Sequence, residues 1–341
     1  MDNKKITVKE LAQKLGVSIS TVSKALNDSY EISDKTKKRV QRFANKYNYK
    51  PNRLAVNLKS GNTKTVGVIL PSILSNFFTA VLCGIEQVTN EQNYNIITCF
   101  SDESYEREMT NIDILSNGII DGLIVAIAEE TQIKRDYTHF RNCIRSGNPV
   151  VMFDRVTSVI NCDKVVVDDY NDAYLATEHL VECGCENPAL VSAIDFLSVG
   201  KDRVKGFVAA FEEHLGEVPE DALIRCNVAE LEKNIEALLT QREVDGFFAA
   251  DEDASLAICK VVKKLGFTIP NDVSVIGYAG EKLAENLSPT LTTVNQNGVE
   301  IGREAARILL ERLQTDDQKY LTKIVNTTIE RRASTQRKKS N

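Results

Sequence analysis

From residue 65 onward the chain repeats one pattern: short apolar runs rich in β-branched residues alternate with segments long enough to be helices. The runs "TVGVIL", "YNIITCF", "DGLIVAI" and "PVVMFD" have strand length and suit strands covered on both faces. The helix-length spacers between them predict parallel pairing through right-handed crossovers. The pattern then starts again with "PALVSAI", "DGFFAA" and "DVSVIGY". Two internal echoes tie the halves together: "IIDGLIVA" (Ile119 to Ala126) with "EVDGFFAA" (Glu243 to Ala250), and "NPVVMFD" with "NDVSVIGY". The expected core is an α/β body of two similar lobes, each a doubly wound parallel sheet. Ligands of open parallel sheets sit beyond the carboxyl ends of the strands, which places the expected small-molecule site in the cleft between the lobes.

The first 64 residues follow a different rule. In "TVKELAQKLGVSISTVSKALND" two short helix patterns are separated by one glycine and almost no linker. Thr7 and Glu10 have the spacing of a capping box, Gly16 can stop the first helix, and Ser18 can cap the second. Such a short turn is what a helix-turn-helix requires. Ala12, Val17, Val22 and Leu26 are spaced to pack together, which leaves Ile19, Ser20, Ser23 and Lys24 on the outer face of the second helix. A third helix opens at Ser33 and carries its apolar period through Val40, Phe43, Ala44 and Tyr47.

Charge assigns that outer face a partner. Residues 1–64 hold 15 Lys and Arg against five Asp and Glu, a net of +10, while the whole chain is −6. The last 11 residues add five basic groups and no acidic one, so residues 65–330 carry a net of −21. A basic head on an acidic body is the footprint of a polyanion binder, and the body orients the approach by repelling the same polyanion. The head is therefore expected to bind double-stranded DNA.

Other function classes find little support. At 341 residues the chain is long enough for two or three domains, and its 43% hydrophobic content is that of an ordinary soluble protein. The N-terminal "MDNKKITVKE" has no apolar run, and nowhere do 18 apolar residues follow one another, so no membrane partner is expected and a cytoplasmic location is. The eight cysteines are scattered, with one Cys-Gly-Cys at Cys183 and Cys185 and no Cys-x-x-Cys, which predicts free, buried thiols. His139, His179 and His214 lie far apart in helix-like segments. No glycine-rich phosphate or dinucleotide loop and no nucleophile elbow is present. Neither an enzyme nor a metal or other cofactor is expected. A solute receptor of the periplasmic type would share the two-lobed core, but the basic head and the missing signal argue against it.

Taken together, "VKELAQKLGVSISTVSKALND", "SDKTKKRV", "YKPNRLAVNLKSGNTKTVGVILP", "VVVDDYNDAYLATEHLVECG", "DRVKGFVAAF", "PNDVSVIGY", "SPTLTTVNQ" and "RRAST" resemble the lactose- and galactose-repressor (LacI/GalR) family over almost the whole chain. The resemblance implies a homodimer whose heads bind a near-palindromic operator, and a periplasmic-binding-protein-like core that senses a sugar or sugar derivative. It implies four regions: a head at 1–50, a hinge helix and linker at 51–64, an effector-binding and dimerisation core at 65–335, and a disordered basic tail at 336–341. After "RRAST" no leucine heptad follows, so no tetramerising helix is expected.

The same resemblance assigns residues. Ile19, Ser20 and Lys24 become base-edge readers on a recognition helix, with Lys24 where family members often have arginine. Ser18, Thr21, Asn27, Ser33 and Thr36 match phosphate contacts, although each also suits a helix end. In the hinge, Leu58 matches a side chain wedged into the minor groove, and Ala55 is small enough for two hinge helices to meet. In the cleft, Arg203 matches a ligand-gripping arginine, Phe77 and Phe78 an aromatic patch, Asp154 and Arg155 the end of the fourth strand, and Asp251 a cleft carboxylate. Ala250 and Ala279 stand where sugar-binding members carry asparagine and aspartate, which predicts a chemically different pocket. The alternative for Arg203 is a structural ion pair with Asp154 or Asp251.

Overall fold

The computed structural model describes residues 6–47, 49, 62–315 and 319–337. It divides into two compact units, Met1–Thr63 and Lys64–Asn341.

The first unit packs three helices, α1 (Val8–Leu15), α2 (Ile19–Leu26) and α3 (Asp34–Lys46). The Thr7 amide donates to the Glu10 carboxylate at 2.8 Å and the Glu10 amide to Thr7 Oγ1 at 3.2 Å, closing the capping box. Gly16 ends α1 with φ 64°, a left-handed conformation that costs glycine nothing. Leu11, Ala12, Leu15, Val22, Ala25, Val40 and Ala44 form the core, with Val17, Leu26 and Phe43 partly buried against it. Tyr47, expected to continue the buried period of α3, is exposed instead; as the C-cap where the helix stops, its ring lies tilted against Phe43 at 4.8 Å.

In the second unit, β1 (Thr65–Leu70), α4 (Asn76–Glu91), β2 (Asn95–Phe100), α5 (Tyr105–Ser116), β3 (Gly122–Val125), α6 (Glu129–Lys134), α7 (Thr138–Arg145), β4 (Val150–Phe153) and β5 (Asp163–Val166) build the first lobe. The chain crosses over into α8 (Asp169–Glu182), β6 (Pro188–Ser192), α9 (Ser198–Leu215), β7 (Leu223–Arg225), α10 (Leu231–Gln241), β8 (Gly246–Ala249), α11 (Glu252–Lys264), β9 (Ser274–Gly277), α12 (Glu281–Asn286) and β10 (Thr292–Asn295). It then returns: α13 (Gly298–Arg312) packs Ile301, Ala305 and Leu309 into the first lobe's core and β11 (Thr322–Ile324) joins the first sheet, before β12 (Thr328–Glu330) closes the second. The sheet orders are β11-β5-β4-β3-β1-β2 and β12-β10-β9-β8-β6-β7. All pairings are parallel except β10 with β12.

The two echoes occupy equivalent strands of the two sheets, the first β3 and β8, the second β4 and β9. Asp121 and Asp245, just ahead of β3 and β8, accept the amide preceding the lobe's first strand: Lys64 to Asp121 and Asn187 to Asp245, at 2.8 and 2.9 Å. The Asp-Gly repeat thus pins strand register the same way in both lobes.

The tail expected to be disordered from 336 is anchored one residue further. Arg337 donates to Ser274 Oγ at 2.9 Å, to the Gly184 carbonyl at 3.0 Å and to the Asp245 carbonyl. Its guanidinium satisfies carbonyl groups at the edge of the second lobe, which a count of basic residues does not reveal. Of the thiols expected to be buried, Cys143, Cys162 and Cys185 are, whereas Cys83 is exposed on α4. Among the described residues no helix is long and apolar enough to cross a membrane.

Candidate nucleic-acid interface and effector cleft

Packing of α1 against α2 and α3 fixes what α2 presents outward. Ser18, Ile19 and Ser20 are exposed, Ile19 at 48%, and Lys24 is half-exposed, while Val22 and Ala25 face the core. An exposed isoleucine between two serines gives the first turn a close, unobstructed approach to a surface. Ser18 caps α2 by accepting the Thr21 amide at 3.0 Å, and the two hydroxyls lie 2.8 Å apart. Ser33 and Thr36 repeat this arrangement at the start of α3, with amide and hydroxyl distances of 3.4 and 3.0 Å. Both helix N-termini therefore offer amides and a hydroxyl pair, suited to an oxyanion. Asn27 is exposed at the C-cap of α2. Lys24 forms an ion pair with Glu31, in the segment joining α2 to α3. Ala55 and Leu58 lie outside the described residues.

In the core, the strand ends deliver the cleft residues. Asp154 and Arg155 follow β4, Ala250 and Asp251 follow β8, and Tyr278 follows β9. On the first lobe, Arg155 donates to both Glu103 oxygens at 2.8 and 2.7 Å and lies over the Phe78 ring at 5.6 Å. Phe78 is buried and meets Phe77 and Phe153 edge to face at 5.3 and 6.2 Å. Asp154 is 9% exposed with φ 55°, a left-handed conformation that aspartate tolerates better than most residues.

On the second lobe Arg203 is the centre. Gly200, Arg203 and Gly206 share one face of α9, and the glycines let that face close on its neighbours. A Cβ on Gly200 would come within 1.9 Å of the Ile194 carbonyl oxygen, and one on Gly206 within 2.1 Å of that of Tyr170. Arg203 is thereby buried, donating through Nε to Asp169 Oδ1 at 2.7 Å and through Nη1 to the Ala250 carbonyl at 2.7 Å. Its guanidinium stacks on Tyr278, 3.6 Å from the ring centroid. The ion pair suggested with Asp154 or Asp251 is thus made with Asp169. Asp251 is already engaged: its two oxygens accept the amides of Ala254, capping α11, and of Ala193, both at 2.8 Å.

Carboxylates outnumber cations here. Burial raises Asp169 to about 7 against the pull of Arg203, and burial raises Asp172 to about 6 despite a hydrogen bond from Thr327. Burial likewise raises Asp154 and Asp251. Asp172 Oδ2 and the Tyr278 hydroxyl are buried without a hydrogen-bond partner among the described residues. Among the described residues, two residue pairs join the lobes: Asn76 Nδ2 donates to the Glu252 carboxylate at 3.2 Å, and Gln132 Nε2 donates to Ser198 Oγ at 3.1 Å while the Ser198 amide donates to Gln132 Oε1 at 3.0 Å.

Sequence reasoning missed Asp169, Asp172, Tyr278 and Glu103. The acids of "VVVDDYND" carry the signature of a helix start, and Asp168 does cap α8 by accepting the Asn171 amide at 3.0 Å. Only the packing of α9 turns Asp169 and Asp172 inward.

A helix-turn-helix head and a two-lobed core with polar groups converging at the strand ends define a sequence-specific DNA-binding regulator controlled by a small-molecule effector. Residues 7–52 match the model of bacterial regulatory proteins of the lacI family, and residues 177–335 that of a periplasmic binding protein-like domain. The HTH-type transcriptional repressor PurR of Vibrio cholerae is 30% identical over 312 residues, 90% of this chain and 91% of that protein. A LacI family regulator of Enterococcus faecium with bound ribose superposes with a TM-score of 0.69 at 28% identity, covering 79% of this chain and 98% of that one. The lac repressor dimer bound to operator and the anti-inducer ONPF gives 0.84 at 20% identity, covering 97% and 99%. The chain belongs to the lacI family of bacterial regulatory proteins.

Proposed function

We propose that this regulator is a repressor that binds a near-palindromic operator as a homodimer and answers to an uncharged polyhydroxylated effector in the cleft. The DNA reading rests on one observation: α2 turns Ile19, Ser20 and Lys24 outward in a head of net +10. In this reading those three meet base edges in the major groove, while Ser18, Thr21, Asn27, Ser33 and Thr36 meet phosphates. Within the hinge and linker, residues 51–64, the segment from Pro51 to Gly61 orders on DNA in this reading, with Leu58 wedged into a central base step and Ala55 at the hinge-to-hinge contact. Dimerisation belongs to residues 65–335.

The effector class follows from charge. Arg203 spends three of its donors on Asp169 and Ala250 and keeps two for a ligand. Asp169 pairs with it, and Asp154 and Asp172 act on it electrostatically, so the site holds more carboxyl groups that can accept hydroxyls than cations that could bind an anion. Phe77 and Phe78 supply an apolar wall, with Arg155 behind them. Ribose in the Enterococcus faecium relative and the repressor name of PurR agree with a sugar-class effector and a repressor role.

The test is an operator recovered by selection from random duplexes, then titrated at fixed salt. Leu58→Ala should weaken operator binding at least tenfold and leave binding to unrelated DNA unchanged, because the basic face is untouched. Equal losses on both DNAs would make the hinge a passive tether.

A further inference from the structure

Lys24 stands where an arginine would bring two donors in a rigid fork; a lysine alone is a rotating point charge. The structure gives this lysine a partner that changes that. The Ser29 amide closes the C-terminus of α2 by donating to the Lys24 carbonyl at 2.9 Å, Asp28 turns the chain with φ 54°, and the Ile32 amide closes onto the Ser29 carbonyl at 3.2 Å. Ile32 then packs against the head core. A second ion pair, Lys37 Nζ to Asp28 Oδ1 at 2.7 Å, ties the same segment to α3. Glu31 is therefore placed by the fold, and its Oε2 takes the Lys24 ammonium while both side chains remain 44–47% exposed.

We propose that Glu31 is a positioning residue for base specificity: by holding one N–H of the Lys24 ammonium it aims the other two at a single base edge, making lysine read guanine as a two-pronged donor. An ammonium has three donors, and guanine offers two acceptors, O6 and N7, in the major groove. The Glu31 charge also cancels most of the attraction of Lys24 for phosphates at large, so Lys24 contributes through direction and not through charge. The inference rests on Lys24 facing the major groove, as proposed above.

Selection from random duplexes tests it with the full-length chain and the variants Glu31→Ala, Lys24→Ala, the double variant Lys24→Ala/Glu31→Ala, and Lys24→Arg with Glu31→Ala. Wild type should enrich guanine at one position per half-site, and Lys24→Ala should identify that position by losing the preference. Glu31→Ala should weaken the preference there about tenfold. It should also strengthen binding to unrelated DNA and steepen its salt dependence by about one ion per head. Lys24→Arg should restore the preference without Glu31, since arginine carries its own fork. An unchanged preference in Glu31→Ala overturns the proposal, and so does a Glu31→Ala shift at that position persisting in the double variant. A wild-type chain that enriches no sequence overturns the DNA reading itself.

Discussion

Arg203 is held by Asp169, by the Ala250 carbonyl and by the Tyr278 ring. Truncating it leaves Asp169 buried without its cation, so Arg203→Ala should cost about 3–5 kcal/mol of core stability as well as the effector response. Thermal unfolding of the variant without ligand measures the first part; an unchanged melting temperature would mean that the pair contributes nothing. Asp172 behaves in the opposite way. Its native carboxyl stays protonated up to about pH 6, whereas its ordinary value is 3.8. The native state holds the extra proton between those values, so the stabilisation is full below the lower one and is lost as pH rises through the upper. Asp172→Asn should therefore raise the melting temperature at pH 7.5, by roughly 2–4 °C for each kcal/mol gained, and change it little at pH 4.5. A variant that melts below wild type at pH 7.5 would show that the ionised carboxylate is stabilising.

At the scale of elements, the first lobe depends on how closely α4 and α13 cross. A Cβ on Gly84 would lie 2.0 Å from the Val299 carbonyl oxygen, and one on Gly302 2.0 Å from that of Val81. The obstacle is backbone on both sides, so neither helix can yield by a rotamer change. Gly84→Ala should destabilise the core by about 1–3 kcal/mol, the cost of overpacking a filled contact. Denaturant unfolding should show a larger loss for Gly84→Ala than for Gly118→Ala, around which a Cβ meets nothing within 4 Å and only the φ of 77° costs.

For the whole molecule, charge is divided between the parts: +10 in residues 1–64 against −21 in residues 65–330. Affinity for unrelated DNA should fall by orders of magnitude between 50 and about 200 mM salt if six to ten phosphates are neutralised per dimer. Fluorescence anisotropy on a labelled duplex at several salt concentrations measures the slope. A flat dependence would detach DNA binding from the basic head.

What could be read along the chain is what depends on local order. Thr7, Glu10, Gly16 and Ser18 announce the head helices because caps and turns act within four residues. The two Asp-Gly strands announce the duplicated lobes because a buried parallel strand must be apolar throughout. Five short strands, β5, β7, β10, β11 and β12, are not legible in the sequence, because each carries polar or charged residues such as Lys164, Arg225, Asn295, Lys323 and Glu330 and so makes no continuous apolar run. The return of α13 to the first lobe and the choice of Asp169 as the partner of Arg203 are long-range events. A buried guanidinium pairs with whichever carboxylate the packing of helices brings within reach, and several acids in this chain had the same local credentials. That pairing, the engagement of Asp251 as a helix cap and the meeting of Lys24 with Glu31 were settled by packing and turn geometry, because ion pairs are short-ranged in space and indifferent to distance along the sequence.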